Sequence, residues 1–401
     1  MTGSLAGMRL AYLGRTHLGG TYTVFKNLRD GLAEAGVDVR CVGVDYRGGH
    51  AKTSVEVIPD GLLLRAGQSG EAEVAWALRS VLADFDGVIV NVLGDRLATN
   101  LTRYLPARLM KLLIVHNITP GTYAAARAVR DHVHATVAIA PRIFHDLAGR
   151  YGFAAHRMTV IPHGVPAAFL GHRRSGPTDG PLRLLFVGRL KDSDKGCLWL
   201  PGIVRRMATP ATLTIAGDGP DRERLEALCG SMGTPATFTG ALEQAALVDL
   251  YRSHDVLLFP SRFEGFGLTL IEAMAGGCVP VATRIAGVTD TIVTPDEDGL
   301  LFSAGNVEAA AEAADRLAGD RGRLAAMSAA AVETVQNRFS LAGTSRCYRD
   351  LIADLADGLP PIAPALEPGK WRVAPQLKPG LRRYVPEPVK NWVRVVRERV
   401  A

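Results

Sequence analysis

Short, unbroken apolar runs alternate with helical patterns along this chain, and they do so in two successive series. In the first, residues 9–13, 37–44, 87–92, 112–115, 136–139 and 158–161 read as strands, with helical patterns such as 21–35 and 71–83 between them. A strand wetted on one face alternates apolar with polar residues. Most of these runs do not alternate, so they predict parallel strands covered by helices on both faces. Residues 172–181, HRRSGPTDGP, are polar and rich in Gly and Pro and read as an interdomain linker. A second series follows, with strands expected at 182–187, 212–216, 237–239, 256–259 and 279–282 and helices at 306–317, 321–339 and 340–355. The prediction is an α/β chain of two doubly wound, Rossmann-like parallel-sheet domains facing a cleft, with ligand expected at the carboxyl ends of the strands.

Composition agrees. At 401 residues the chain is too long for one core. Its 47% hydrophobic and 21% charged content suits a soluble globular protein, and no apolar stretch has the length of a membrane span. The start, MTGSLAG, lacks the basic head and apolar core of a signal peptide. Cys41, Cys197, Cys229, Cys278 and Cys347 are widely scattered, which argues against a disulfide framework or zinc cluster and for a reduced cytoplasm. A net charge of +6 suits anionic partners: phosphorylated ligands, nucleic acid or membrane. The arginine–aromatic interleaving of single-strand binders is missing, so no nucleic-acid partner is expected.

The densest chemical signal follows the apolar run 256–259. Residues 260–277, PSRFEGFGLTLIEAMAGG, cross a glycine-containing turn and enter a good helix former. A strand, a turn and a helix N-terminus make an anion site, because unpaired N–H groups point outward with the helix dipole behind them. Glu264 precedes the turn and Glu272 lies within the helix. An acid on each side of a phosphate-ready turn suits a nucleotide-sugar, which has hydroxyls at both ends and phosphate between. If residues 264–272 were all helical, the rise between the acids would be about 12 Å, too far to share a proton role, so they read as two anchors rather than a glycosidase pair.

This run resembles the E-x7-E signature of retaining glycosyltransferases, in particular family 4 with the GT-B fold; Pro280-Val281-Ala282 continues the pattern. Further segments carry the resemblance. Phe186-Val187-Gly188-Arg189-Leu190, with Lys195-Gly196 one residue later than usual, is similar to the family's V-G-R-L-x-x-x-K-G. Gly217-Asp218-Gly219-Pro220 is similar to its G-x-G-P turn, and Gly19-Gly20 before a helix resembles its N-domain loop. The family pattern runs roughly from Met8 to Leu355.

The resemblance implies a retaining transfer of a sugar from a nucleotide diphosphate sugar to an acceptor hydroxyl, in glycan, glycolipid or glycoside synthesis. Arg189 and Lys195 would grip the diphosphate and neutralise charge on the leaving group, an arginine fork and a lysine point charge suiting that task. Glu272 would hold the ribose hydroxyls and Glu264 the transferred sugar. Gly265, Phe266, Gly267 and Leu268 would offer backbone donors, with Gly19, Gly20 and Gly217 near the nucleotide. His116, at the end of a strand, would bond a sugar hydroxyl, and His163 belongs to a hinge run, IPHGV. The catalytic set is thus His116, Glu264, Arg189 and Lys195. Asp192-x-Asp194 sits between cations meant for phosphate and reads as a loop feature, with no metal or other cofactor required. Asp290 stands where the family places a glutamate. A same-face mechanism is implied, the leaving phosphate taking the acceptor proton. The acceptor is left open among small molecules, glycans and lipid-linked sugars. Two alternatives share the architecture: a sugar-nucleotide epimerase and a silent nucleotide-sugar-binding protein.

The linker and the resemblance together give an acceptor-side domain (1–171), a nucleotide-sugar domain (172–339) and a crossover helix (340–358); beyond them composition alone reads 359–401 as a Pro-rich linker with a basic amphipathic tail. In the tail, Val389, Trp392, Val393, Val396 and Val400 share one helical face, with Lys390, Arg394, Arg397 and Arg399 mostly elsewhere. Packing on the N-terminal domain or on another subunit, disorder, and peripheral contact with the inner face of a membrane are the readings of it.

Overall fold

A computed structural model describes residues 5–14, 20–47, 52–92, 94–170, 180–378, 380 and 384–400. They fall into two compact units, Met1–His163 with Leu341–Gly380 and Gly164–Ser340 with Leu381–Ala401. The break in contacts falls at 163/164; the expected linker lies mostly outside the described residues.

Unit 1 contains an eight-stranded sheet of β1 (Arg9–Leu13), β2 (Asp38–Asp45), β3 (Ser54–Ile58), β4 (Gly61–Arg65), β5 (Gly87–Asn91), β6 (Met110–Val115), β7 (Ala135–Ala138) and β8 (Met158–Val160), ordered β3-β4-β2-β1-β5-β6-β7-β8. Every pairing is parallel except β3 with β4. Strands β5 and β6 are buried at every position, which is why the runs 88–90 and 112–115 within them are unbroken. Even Lys111 is buried, its ammonium donating to the Leu105 and Pro106 carbonyls. The β3–β4 hairpin is absent from the sequence expectation. Its outer strand is exposed almost throughout, Val57 at 77%, so burial imposes no pattern on it.

Helix Leu341–Asp357 joins this unit and packs along helix Gly20–Ala33. Gly31 permits the approach: a Cβ there would lie 1.8 Å from Ser345 Oγ. The Pro-rich stretch beyond is extended, as expected, but it is a fastened strap rather than a linker. Ala363 N–H donates to Asp131 O (2.7 Å) and Leu366 N–H to Arg103 O (2.9 Å). Trp371 packs on Tyr104 and Trp76, at centroid distances of 4.8 and 5.5 Å.

Unit 2 contains six strands, all parallel: β9 (Leu182–Val187), β10 (Ala211–Ala216), β11 (Ala236–Gly240), β12 (Val256–Phe259), β13 (Val279–Thr283) and β14 (Leu300–Phe302), ordered β11-β10-β9-β12-β13-β14. Leu184, Phe186, Ile215, Leu258 and Val281 form the middle of its core. Helices Val307–Gly319 and Arg321–Arg338 cover it, each capped by a side chain, Asn306 on Ala309 N–H and Asp320 on Arg323 N–H. Helix Glu387–Val400 also belongs here, so residues 359–401 divide between the units rather than forming one module. Each sheet changes direction once, between β1 and β5 and between β9 and β12, which puts a crevice at the carboxyl ends of those strands.

Candidate active site

In unit 2 the candidate residues follow the ends of β9, β10 and β12. After β9 the chain makes a single helical turn, Asp192–Lys195, where sequence reading placed a loop. Side chains from elsewhere fix the turn. Asp221 accepts from Asp192 N–H (2.8 Å), and Asp192 in turn accepts from Leu198 N–H (3.1 Å) and pairs with Arg262 (2.7 Å). The Arg262 guanidinium also donates to Asp192 O and lies 3.9 Å from the Trp199 ring centroid. Asp194 pairs with Lys191 at 3.0 Å. Both acids of the Asp-x-Asp pair are thus tied to cations of the protein itself.

Gly196 ends the turn at φ +61°, and a Cβ there would lie 2.1 Å from Pro260 O. The turn after β9 is therefore pressed onto the turn after β12, and this contact brings Lys195 to Glu264. Their ammonium and carboxylate form an ion pair, both largely buried, and Ser261 Oγ donates to the same carboxylate oxygen at 2.8 Å. The Lys195 ammonium also lies 5.7 Å from the Phe259 ring centroid. Two residues singled out separately from sequence are thus direct partners. Arg189, just past the end of β9, is exposed and makes no ion pair among the described residues.

Helix Leu268–Ala275 starts behind Glu264. Its first residue follows Gly267 at φ +112°, whose carbonyl accepts from Leu270 and Ile271 N–H. The N–H groups of Leu268 and Thr269 have no protein acceptor among the described residues, which leaves the outward-facing amides of an anion site. Phe266 anchors the turn by packing edge-on against Phe339, at 5.8 Å between centroids; Gly265 is buried beside it. One helical turn on, Glu272 accepts from the buried Tyr251 hydroxyl at 3.0 Å. Burial raises the Glu272 carboxyl above its ordinary range, with the tyrosine opposing that shift.

Gly217 has a steric reason: its φ is +139° and a Cβ would lie 1.9 Å from Gly188 O. It lets the ends of β9 and β10 meet. Asp290 bonds within its own turn, accepting from Gly287 N–H at 2.7 Å, with Arg284 at 3.6 Å.

In unit 1, Gly19 lies outside the described residues; Gly20 opens helix Gly20–Ala33 and is exposed. His116, just past β6, is 2.6 Å from Asn91 Oδ1 through its Nε2. Asn91, the last residue of β5, donates through Nδ2 to Leu13 O at the end of β1, so its Oδ1 must face the imidazole. Nε2 then carries the proton and Nδ1 is left as an acceptor. His163, the last residue before the break between the units, where the hinge run was expected, stacks on His116 at 5.5 Å. Burial holds both rings neutral: His116 is pushed down to about 4 and His163 well below its usual value, the second also disfavoured by the first. Asn91, Tyr251, Ser261 and Arg262 were not singled out from sequence.

Comparison with known proteins bears on the whole arrangement. Sucrose-phosphate synthase from Thermosynechococcus elongatus superposes with a TM-score of 0.72 at 20% identity, covering 87% of this chain and 99% of that one. Anabaena HepE, solved with UDP and glucose, gives 0.68 at 15% identity over 87% of this chain and all of that one. The chain has the GT-B fold. Within it, residues 181–320 match the family described as Glycosyl transferases group 1. Sulfoquinovosyl transferase SQD2 of Arabidopsis thaliana is 38% identical over 136 residues, 33% of this chain and 26% of that protein. This chain spans between 26% and 51% of the length of the curated relatives it matches.

Proposed function

We propose that this GT-B chain is a retaining glycosyltransferase of the family 4 type, taking its sugar from a nucleotide diphosphate sugar. The observation that carries the reading is the meeting of Lys195 and Glu264 at the open N-terminus of helix Leu268–Ala275. An entering diphosphate brings negative charge to a lysine already neutralised by a carboxylate. Arg189 and the Leu268 and Thr269 amides supply the remaining positive field. At a separation of about 4 Å and an effective dielectric near 20, each such cation–phosphate contact is worth about 4 kcal/mol before desolvation. Glu264, held between Lys195 and Ser261, presents its carboxylate to hydroxyls of the sugar. Glu272 keeps one oxygen on Tyr251 and offers the other to the ribose.

In the transfer step the bond from the anomeric carbon to the β-phosphate oxygen breaks, and the diphosphate leaves with that electron pair. The acceptor oxygen bonds the same carbon on the same face, and its proton goes to the departing phosphate oxygen. Lys195 and Arg189 stabilise the charge that grows on the phosphate. His116, neutral and with Nδ1 as acceptor, takes a hydrogen bond from a sugar hydroxyl rather than acting as an acid. None of these roles calls for a metal ion.

A thermal-shift screen against nucleoside diphosphates tests the donor class. A ligand at a hundred times its Kd should add about 2.7 kcal/mol of stability. If no diphosphate raises Tm, the donor assignment fails. Proton NMR of the product from an α-linked donor tests the stereochemistry, and a β-linked product would exclude retention.

A further inference from the structure

Helix Glu387–Val400 is attached the wrong way round for an amphipathic helix of a globular protein, which ordinarily buries its apolar stripe. Its polar face is the one against unit 2. Arg394 donates to Ser193 O at 2.8 Å and lies 4.3 Å from the Phe263 ring centroid, and Arg399 donates to Ala304 O at 2.8 Å. The apolar face points outward, with Val389 47%, Trp392 66%, Val396 38% and Val400 83% exposed. At about 100° per residue these four fall within about 80° of the helix circumference. Arg397 stands exposed on one side of the stripe, and Arg399, its Nε held by Ala304 O, is exposed on the other. Over 381–401 the sequence carries Arg382, Arg383, Lys390, Arg394, Arg397 and Arg399 against Glu387 and Glu398.

We propose that this helix is a docking surface for an anionic bilayer. It lies along the headgroup region with the valines and Trp392 inserted and the rim arginines on lipid phosphates. An indole at the boundary and arginines beside an apolar stripe are the composition such an interface selects. A second copy of the chain is the poorer occupant. Both edges of the stripe carry arginine, so pairing two of these faces sets cation against cation. The apolar stripe is short, so binding is reversible and depends on charge. No helix among the described residues is long and apolar enough to cross a membrane, so attachment through this helix is at the surface.

The test is flotation of the full chain with vesicles of phosphatidylglycerol mixed with phosphatidylcholine, against vesicles of phosphatidylcholine alone. Binding should be confined to the anionic vesicles, weaken as salt rises, and fall about tenfold or more in the double variant Trp392→Ser, Val396→Ser. Both positions are exposed, so the variant should keep the Tm of the parent, which a thermal scan checks. Absence of flotation, equal flotation of variant and parent, or a parent dimer that the variant loses would each overturn the proposal. Flotation reads binding without turnover, so its failure leaves the transferase reading standing.

Discussion

The two sheets present opposite chemistry at equivalent addresses. At the ends of β9 and β12 in unit 2, the side chains are ionic: Lys195 on Glu264, Arg262 on Asp192, Lys191 on Asp194. At the ends of β5, β6 and β8 in unit 1 they are neutral, with His116 and His163 kept uncharged by burial and His116 oriented by Asn91. One address suits phosphate, whose charge must be balanced. The other suits hydroxyls, which need an oriented acceptor and no net field. A duplicated architecture thus leaves the division of labour to a few residues at strand ends.

The comparison breaks most visibly if the ionic side is neutralised. Lys195→Ala should lower kcat by about 10²- to 10³-fold, since it removes a group aimed at developing charge. Steady-state turnover measures this, and retention of even half the parent rate would remove Lys195 from the chemistry. Arg189→Ala should act in the same direction but less, about tenfold to a hundredfold in kcat/KM, because the site keeps its lysine and amides. Tyr251→Phe separates binding from turnover. Losing a hydrogen bond that orients Glu272 should raise the donor KM by about tenfold with kcat nearly unchanged.

The neutral side is sharpened by pH. His116 and His163 have folded pKa values below their unfolded ones, so between about pH 6.5 and 4 the unfolded chain binds protons that the folded chain does not. Stability therefore falls as pH drops through that window, by up to about 1.4 kcal/mol per pH unit per histidine. Glu272, with its carboxyl raised, acts in the opposite sense. Urea midpoints between pH 7 and 5 should fall less in His163→Gln than in the parent. The smallest effect is expected at Asp290→Ala, whose partners lie within its own turn; the donor KM should stay within about twofold.

Much of the fold was legible because burial on both faces leaves a plain mark. The expected bounds of β1, β9 and β12 coincide with the observed ones; β12 is wholly apolar, and β1 and β9 are apolar except for Arg9 and Arg183. The β3–β4 hairpin escaped because exposed Val55 and Val57 serve no core, and β14 because three residues carry too little pattern. Residues of the site that sit in a local motif, Lys195 and Glu264, were visible. Tyr251 and Asn91 were not: each is a single residue whose meaning depends on a partner brought from another element. The tail was half legible. Its helix and stripe follow from spacing, but which face meets the protein depends on Ser193, Phe263 and Ala304, remote in sequence.

The missing side chain at Gly196 has a dynamic corollary. With the backbone of Pro260 occupying the space of a β-carbon, neither segment has slack to slide past the other. Lys195 and Glu264 must therefore travel together whenever this part of the molecule rearranges, so that the two roles proposed for them would become one motion instead of two.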